Sequence, residues 1–225
     1  MKSKFILIVG LILLTACSAV PTANAIASPA DKHVMVPTPS SATDASSPAP
    51  AYSIPSPCNL PPITIPLMPK VIPGYAELDP DTGLHVTGEA LAVDLQTYRL
   101  KVSGLVDKPM EWNYEELRCL PKVTVKASLE CPGFFVDVTT WSGVPIAILL
   151  EKAGVNKNAK QLSLVSADGY QTYVYTQDAL NERNFLAYEW MGQPIPVLHG
   201  FPVRAVFPQL DGAKWAKWIV EIQVH

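Results

Sequence analysis

Residues 122–133 read Lys-Val-Thr-Val-Lys-Ala-Ser-Leu-Glu-Cys-Pro-Gly, the clearest strand pattern in the chain. Apolar residues alternate with polar ones from Val123 to Leu129, which is the pattern of a β-strand with one buried face. The same alternation puts Cys131 on the apolar side, so its thiol should point the way the core face points. Pro132 and Gly133 then end the strand. The sequence therefore predicts a long strand with a cysteine at its last position.

Shorter segments around this strand predict a sheet-rich α+β fold, because strands dominate, helices are brief and no regular βαβ rhythm appears. Strands are expected at 98–102, 162–164, 170–175, 185–190, 203–207 and 217–224, and short helices at 113–117, 146–152 and 178–180. Asn113 and Glu116 form a capping-box signal, and Thr176 is expected to cap the third helix. In the last strand Trp218, Val220, Ile222 and Val224 should share one face.

The N-terminus carries a targeting signal. Lys2 and Lys4 precede a short apolar run, too short to span a membrane, which ends at Leu-Thr-Ala-Cys. This resembles a bacterial lipobox, so residues 1–16 are predicted to be removed and Cys17 to be lipidated. An ordinary signal peptide that happens to contain a cysteine is the alternative. No Arg-Arg pair marks a twin-arginine export route.

Composition then divides the rest of the chain. More than half of the 22 prolines lie in residues 17–73, whose Pro, Ala and Ser content predicts a largely unstructured tether. Residues 74–225 hold the aliphatic and aromatic side chains of a globular domain. A net charge of -3 argues against a polybasic nucleic-acid binder. Because only one long apolar run exists, a polytopic membrane protein is excluded as well.

Three cysteines remain if Cys17 carries lipid. Cys58 and Cys119 could pair and clamp the end of the tether onto the domain, or they could stay free or form intermolecular bonds. In an oxidising compartment an odd remainder indicates one thiol with a separate task, and if Cys58 and Cys119 pair, that thiol is Cys131. A zinc site is a poor interpretation, since Cys119 and Cys131 lack a nearby Cys or His pair.

A cationic cluster occupies the C-terminal part of this otherwise acidic domain. It comprises His199, Arg204, Gly212, Ala213, Lys214 and Lys217. Glycine allows backbone amides to approach an anion while Arg and Lys neutralise it, so the cluster is a candidate phosphate site. On composition alone, a solvated turn between two strands is the competing interpretation.

Taken together, the motifs of residues 77–225 resemble the molybdopterin-binding oxidoreductase domain of the sulfite oxidase family. The resemblance runs through 98–106 (Tyr-Arg-Leu-Lys-Val-Ser-Gly-Leu-Val), Leu129-Glu130-Cys131, Trp141-Ser142-Gly143-Val144-Pro145, Ala167-Asp168-Gly169-Tyr170, Gly192-Gln193-Pro194, 199–204 (His-Gly-Phe-Pro-Val-Arg), Gly212-Ala213-Lys214 and Lys217-Trp218. No single motif decides the matter, but their common order and spacing do. The resemblance implies the sulfite-oxidase-type fold.

The resemblance also implies roles. Cys131 would be the thiolate that ligates molybdenum. His199, Arg204 and Lys214, with the amides of Gly212 and Ala213, would hold the pterin and its phosphate, with Lys217 and Asp168 as weaker assignments. The implied chemistry is two-electron redox on a small substrate, often with oxygen-atom transfer. No Cys-x-x-Cys-His haem motif occurs, so electrons would pass to a separate partner protein. The lipobox-like signal predicts a lipid anchor on the extracytoplasmic face of the cell envelope, and a monomer is the default expectation.

Two departures from the family keep other interpretations open. The arginine-bearing segment that precedes the first strand in sulfite oxidases is replaced by residues 84–88, where His85 could contact cofactor or substrate or could be an exposed loop residue. A general secretory signal also passes an unfolded chain, whereas this cofactor is inserted before export. The alternative is a cofactor-free surface lipoprotein that uses the scaffold as a binding module. A Cys131/His199 hydrolase is a third, weaker candidate.

Overall fold

The computed structural model describes residues 58–225. The predicted signal peptide, Cys17 and most of the predicted tether lie outside the described residues. Within residues 58–225, no helix is long and apolar enough to span a bilayer.

Two five-stranded sheets and three short helices form the domain. The strands are β1 (Leu100–Gly104), β2 (Met110–Trp112), β3 (Val123–Cys131), β4 (Phe135–Pro145), β5 (Gln161–Ser166), β6 (Gln171–Tyr175), β7 (Phe185–Trp190), β8 (Gln193–Pro194), β9 (Arg204–Val206) and β10 (Ile219–Val224). The helices are α1 (Tyr114–Arg118), α2 (Ile146–Ala153) and α3 (Thr176–Ala179), and Val197–His199 and Gly212–Lys214 form single 3₁₀ turns. One sheet has the order β2-β1-β10-β5-β6; the other has β3-β4-β7-β8, with β9 also paired to β7.

The β3–β4 hairpin confirms the strand predicted at 122–131. Its antiparallel register runs from Val123 opposite Gly143 to Cys131 opposite Phe135. Val123, Val125 and Ala127 are buried, as the alternation requires. Burial then decreases toward the end of the strand, so Cys131 is only half-buried. The Cys131 thiol therefore lies at the end of the buried face and is partly exposed.

Local signals predicted two of the three helices well. Asn113 and Glu116 form the reciprocal capping box at α1, and Gly154 ends α2 in the left-handed conformation with φ 70°. The prediction that Thr176 caps α3 is wrong. The N-cap is Tyr175, and Thr176 is the first helical residue, with its hydroxyl buried and unpartnered within the described chain.

The expected face of the last strand is also wrong in part. β10 begins at Ile219, and its register with β5 shifts between Ile219 and Glu221. This irregularity resets the alternation, so Ile219 is fully buried while Val220 is only half-buried. A regular period of two cannot reveal such a shift, because it depends on how the neighbouring strand pairs.

The predicted tether's last residues, 58–73, contain no helix or strand. The structure has a disulfide between Cys58 and Cys119, with Cα atoms 5.5 Å apart, which is the pairing that the sequence left open. The Arg118 guanidinium donates a hydrogen bond to the carbonyl of Pro61 at 3.2 Å. The start of this segment is therefore attached to the C-terminal end of α1, while Leu67 and Val71, further along the segment, are largely exposed.

Candidate functional site

The half-buried thiol of Cys131 lines a cavity of about 350 Å³. The other lining residues come from the segment before β1, the β5–β6 turn and the segment before β10: Tyr75, Thr87, Gly88, Asp168, Tyr170, Gly212, Ala213, Trp215, Ala216 and Lys217. We call this the thiol cavity. Cavities of this size and concave form are typical of small-molecule and cofactor sites.

A close backbone approach brings the Gly212–Lys214 turn next to the end of β3. A Cβ atom on Gly212 would lie 2.8 Å from the carbonyl oxygen of Glu130, so only glycine fits without displacing the turn. The Asp211 carboxylate accepts a hydrogen bond from the amide of Ala213 at 3.1 Å, and the Tyr170 hydroxyl donates to the carbonyl of Ala213 at 2.8 Å. These contacts fix the wall that faces Cys131.

A second, narrower space shares Thr87 and Lys217 with the thiol cavity. Its volume is about 20 Å³, room for about one water molecule. It is lined by Leu84, His85, Thr87, Leu129, Phe135, Asp137, Trp141, His199, Arg204 and Lys217. We call it the polar cleft, since three of its side chains are cationic or basic residues of the predicted cluster.

Arg204 is buried in this cleft at 5% exposure. Its guanidinium donates to the carbonyls of His199 at 3.0 Å and Trp215 at 3.3 Å, and it lies 4.7 Å from the ring centroid of Trp141. Within residues 58–225, its Nε atom and the indole Nε1 of Trp141 have no hydrogen-bond partner. Burial lowers the pKa of Arg204 to about 9. The charge of Asp137 acts to raise the pKa, but Arg204 forms no salt bridge in the described chain. A buried cation of this kind is costly, and an anion would relieve that cost.

His199 is held at one nitrogen. Its Nε2 lies 2.9 Å from both Asp79 Oδ2 and the Thr82 hydroxyl. Burial lowers the pKa of His199 to about 4, even though the hydrogen bond to Asp79 acts in the opposite direction. The ring is therefore neutral near pH 7, and the Asp79 carboxylate accepts the Nε2 hydrogen. This arrangement leaves Nδ1 as the acceptor.

Lys217 lies where the two spaces meet. Its ammonium donates to the carbonyls of Thr87 and Leu198, and it sits 4.2 Å from the ring centroid of Trp218. Burial, followed by the charge of Arg204, lowers its pKa to about 7, while Asp168 acts to raise it. The site therefore groups three basic side chains whose pKa values are all lowered by burial, which is typical of functional clefts.

The structure brings most of the residues predicted from the sequence to these two spaces. Cys131, Asp168, Gly212, Ala213 and Lys217 line the thiol cavity, and His199 and Arg204 line the polar cleft with Lys217. Lys214 is the exception. It lies on the wall of a separate cavity of about 310 Å³ beside Gln161 and Tyr173, so its predicted role gains no support from the geometry. A turn of three residues points its side chains in different directions, which spacing alone does not resolve.

Several site residues were missed by sequence reasoning. Asp79 pairs with His199, and Asp137 pairs with His85. The backbone carbonyls of Trp215 and Thr87 accept hydrogen bonds from Arg204 and Lys217, respectively. Their signals were weak because each acts through contacts distant in sequence. His85 is not the exposed loop residue of the competing interpretation: it is half-buried and pairs with Asp137 at 2.7 Å.

Two alternative chemistries gain nothing from this arrangement. Cys131 and His199 line different spaces, so the structure does not assemble a nucleophile–base pair. In the part of the chain that the structure describes, no group of three His, Cys, Asp or Glu residues is placed to hold a metal ion.

Residues 87–225 match the family described as "Oxidoreductase molybdopterin binding domain". The chain belongs to this family. As a molybdopterin-binding oxidoreductase domain it has the sheet-rich fold that the resemblance implied, and that prediction is confirmed.

Similar proteins place the domain among oxidoreductases. It is 36% identical over 141 residues to the uncharacterized oxidoreductase YuiH of Bacillus subtilis, covering 62% of this chain and 71% of that protein. It is 28% identical to a sulfite oxidase of Arabidopsis thaliana, covering 58% of this chain and 42% of that one. Among solved structures, the sulfane dehydrogenase SoxCD of Paracoccus pantotrophus matches with a TM-score of 0.61 and 25% identity, over 68% of this chain and 44% of that chain. The molybdopterin-binding domain therefore spans less than half of these last two proteins.

Proposed function

We propose that this chain is an exported, lipid-anchored molybdopterin enzyme that carries out two-electron redox chemistry, with oxygen-atom transfer, on a small substrate. One observation carries the proposal: the cavity lined by the Cys131 thiol shares Thr87 and Lys217 with the cleft that holds Arg204, a buried cation whose Nε has no partner in the described residues. Family membership shows a molybdopterin-binding oxidoreductase domain. The export of the chain, its lipid anchor and its substrate class are what we propose. The anchor rests on the lipobox-like sequence before Cys17, which lies outside the described residues.

The described residues fit the cofactor. A thiolate is a soft ligand of the kind that molybdenum accepts, and Cys131 is the one free thiol of residues 58–225. Arg204 Nε and Trp141 Nε1 are buried donors of the polar cleft that have no partner among the described residues. Donors of this kind fit an anionic or carbonyl-bearing group, because leaving them unpaired costs about 1–3 kcal/mol each.

When bound, the cofactor supplies two-electron chemistry at molybdenum. Of this chain's residues, Cys131 would ligate the metal, and Arg204, His199 and Lys217 would hold the pterin and its phosphate. The close packing of Gly212 against Glu130 keeps the wall near the metal ligand. The amide of Ala213 donates to Asp211 here, so it would have to exchange partners to bind phosphate. Asp168, which also lines the thiol cavity, partly offsets the positive charge of Lys217.

A separate electron-transfer partner completes the proposal. One relative, 34% identical over 131 residues, is named as a putative subunit of a protein-methionine-sulfoxide reductase in Azospira oryzae, and this chain covers 50% of it. The name of that relative describes a component that works with another. The exposed Phe134, in edge contact with Tyr75 at the mouth of the thiol cavity, favours a small or uncharged substrate over a strongly charged one.

The first test is the molybdenum and pterin content of protein purified from the membranes of its own cells. About one of each per chain is expected. Cys131→Ser should abolish redox activity because it removes the soft metal ligand, whereas Lys126→Ser, at an exposed position of the same strand, should leave it unchanged. Absence of both metal and pterin, in cells that load other molybdenum enzymes, would leave the cofactor-free binding module as the function.

A further inference from the structure

A run of exposed apolar side chains precedes Tyr75. Five of the eight residues from 65 to 72 are large, apolar and more than a third exposed: Ile65, Leu67, Met68, Val71 and Ile72. Leu67 and Val71 stand out at 87% and 80% exposure. We call residues 65–72 the apolar segment. A single exposed apolar side chain is ordinary, whereas a contiguous set marks a surface that contacts a partner or a membrane.

The apolar segment belongs to a stretch of chain that is attached to the domain on both sides. Before it, Cys58 is joined to α1 by the disulfide, and Ile63 packs against the core. After it, the amide of Ala76 donates to the carbonyl of Val86 at 2.8 Å. Tyr75, three residues beyond the segment, lines the thiol cavity. The exposed apolar side chains therefore have a set position relative to that cavity.

The composition of the segment suits a lipid surface. No Asp or Glu occurs between residues 58 and 76, although the whole chain has 20 acidic residues. Lys70 is the one charged residue of this stretch, and a lysine can lay its stem along apolar surface while its ammonium stays among polar headgroups. Three of the nine residues from 65 to 73 are prolines, which have no amide hydrogen to leave unpaired near hydrocarbon.

The proposed lipid anchor would make a weak contact sufficient. Forty residues separate Cys17 from Cys58. A tether of that kind keeps the domain near the bilayer, so the contact forms at a high local concentration. Binding at the membrane interface scales with the apolar area buried there, and a few apolar side chains are then enough to hold the segment.

We propose that the apolar segment lies in the interfacial layer of a lipid bilayer, with Leu67 and Val71 below the headgroups, and that this contact places the mouth of the thiol cavity beside the membrane surface. The inference deepens the proposed function and rests on its lipid anchor. A substrate or electron partner would then reach the cavity along the membrane surface.

Binding of unacylated protein to vesicles tests the contact apart from the anchor. The probe is the chain from residue 17 onward, carrying Cys17→Ser, sedimented with vesicles of neutral phosphatidylcholine at low and high salt. We expect binding that salt leaves unchanged, because the contact is apolar, and a loss of about tenfold in the partition coefficient on Leu67→Ser/Val71→Ser. Val136→Ser/Val138→Ser is the matched control: it removes two exposed valines of β4, at 60% and 58% exposure, and should leave binding unchanged.

Tryptophan quenching locates the segment in the anchored protein. The acylated protein is reconstituted in vesicles whose lipids carry bromine on their acyl chains. Val71→Trp should lose fluorescence there, whereas Val138→Trp should not, with the five tryptophans of the wild type as background. Since the substituted positions are all exposed, melting temperatures should match that of the wild type.

Absence of quenching at Val71→Trp would overturn the inference, and so would an equal loss of vesicle binding in the two double variants. A dimer in solution that Leu67→Ser/Val71→Ser dissociates would assign the segment to a second copy of the chain instead. A natural protein whose Cys17 carries no acyl group in mass spectrometry would overturn the anchor of the proposed function, together with the orientation that rests on it, even where the unacylated chain binds vesicles.

Discussion

At the scale of single residues, the site is marked by two cations, Arg204 and Lys217, that form no salt bridge within the described residues. Arg204 donates hydrogen bonds to two backbone carbonyls, and Lys217 likewise donates to two carbonyls. Carbonyls orient these cations but do not cancel their charge. The fold therefore holds two cations that an anion could pair with directly, while Asp137 and Asp168 attract them without a salt bridge in the described residues.

The free-energy cost of burying the Lys217 ammonium depends on pH. Its pKa is lowered to about 7 from 10.5, so between these values the unfolded chain binds more protons than the folded one. The free energy of unfolding of cofactor-free protein should then rise with pH from about 7 to 10, by up to about 1.4 kcal/mol per pH unit from this group. Lys217→Met should flatten that rise in urea titrations, and Lys126→Met, an exposed lysine, should not. Parallel curves for the wild type and Lys217→Met would show that Lys217 is not buried as a charge.

At the scale of elements, contacts between neighbouring backbones place the site more than helices do. The Gly212–Lys214 turn reaches Cys131 because Gly212 lacks a side chain where it meets the carbonyl of Glu130. The β3–β4 hairpin brings Asp137 and Phe135 to the same face. The geometry of the site thus depends on close approaches between segments about 80 residues apart, as for Glu130 and Gly212.

Gly212→Ala tests the first of these approaches. The added Cβ would lie 2.8 Å from a backbone carbonyl that cannot move easily, so the turn should shift and overpacking should cost about 1–3 kcal/mol. Cofactor content should fall severalfold. Gly192→Ala is the control: it has nothing within 4 Å but a φ of +77°, so it should lose about 1–2 kcal/mol through backbone strain and keep its cofactor. Equal cofactor content in both variants would contradict a role for the close approach.

At the scale of the whole molecule, the disulfide joins the N-terminal segment of the described chain to α1. It closes a span of 61 residues between Cys58 and Cys119. Cross-linking distant residues restricts the unfolded chain, and so it stabilises the folded one. The same clamp holds the segment that leads to Tyr75, at the mouth of the thiol cavity.

The double variant Cys58→Ser/Cys119→Ser should therefore lower the free energy of unfolding by about 2–4 kcal/mol in denaturant titrations. Wild-type protein treated with a reductant should show a loss of the same size, and the double variant should be insensitive to the reductant. Identical midpoints for oxidised wild type and double variant would mean that the two cysteines do not cross-link the domain.

The sequence by itself determined the hairpin strand ending at Cys131, the capping box at Asn113, and the sheet-rich α+β class with its family. These features rest on periodicity and on local hydrogen bonds, which are written in neighbouring residues. It also marked the cationic cluster, because residue type and order are visible without a structure.

Only the tertiary structure decided which of those cations meet. It turned Lys214 away from the thiol cavity, reset the face of β10, and paired His85 with Asp137, 52 residues apart. Strand register and the direction of a turn depend on partners far along the chain, where burial and unpaired charge are set by packing. For that physical reason, the order of the motifs was enough to identify the family, whereas the positions of the side chains in space were needed to show which of them form the site together.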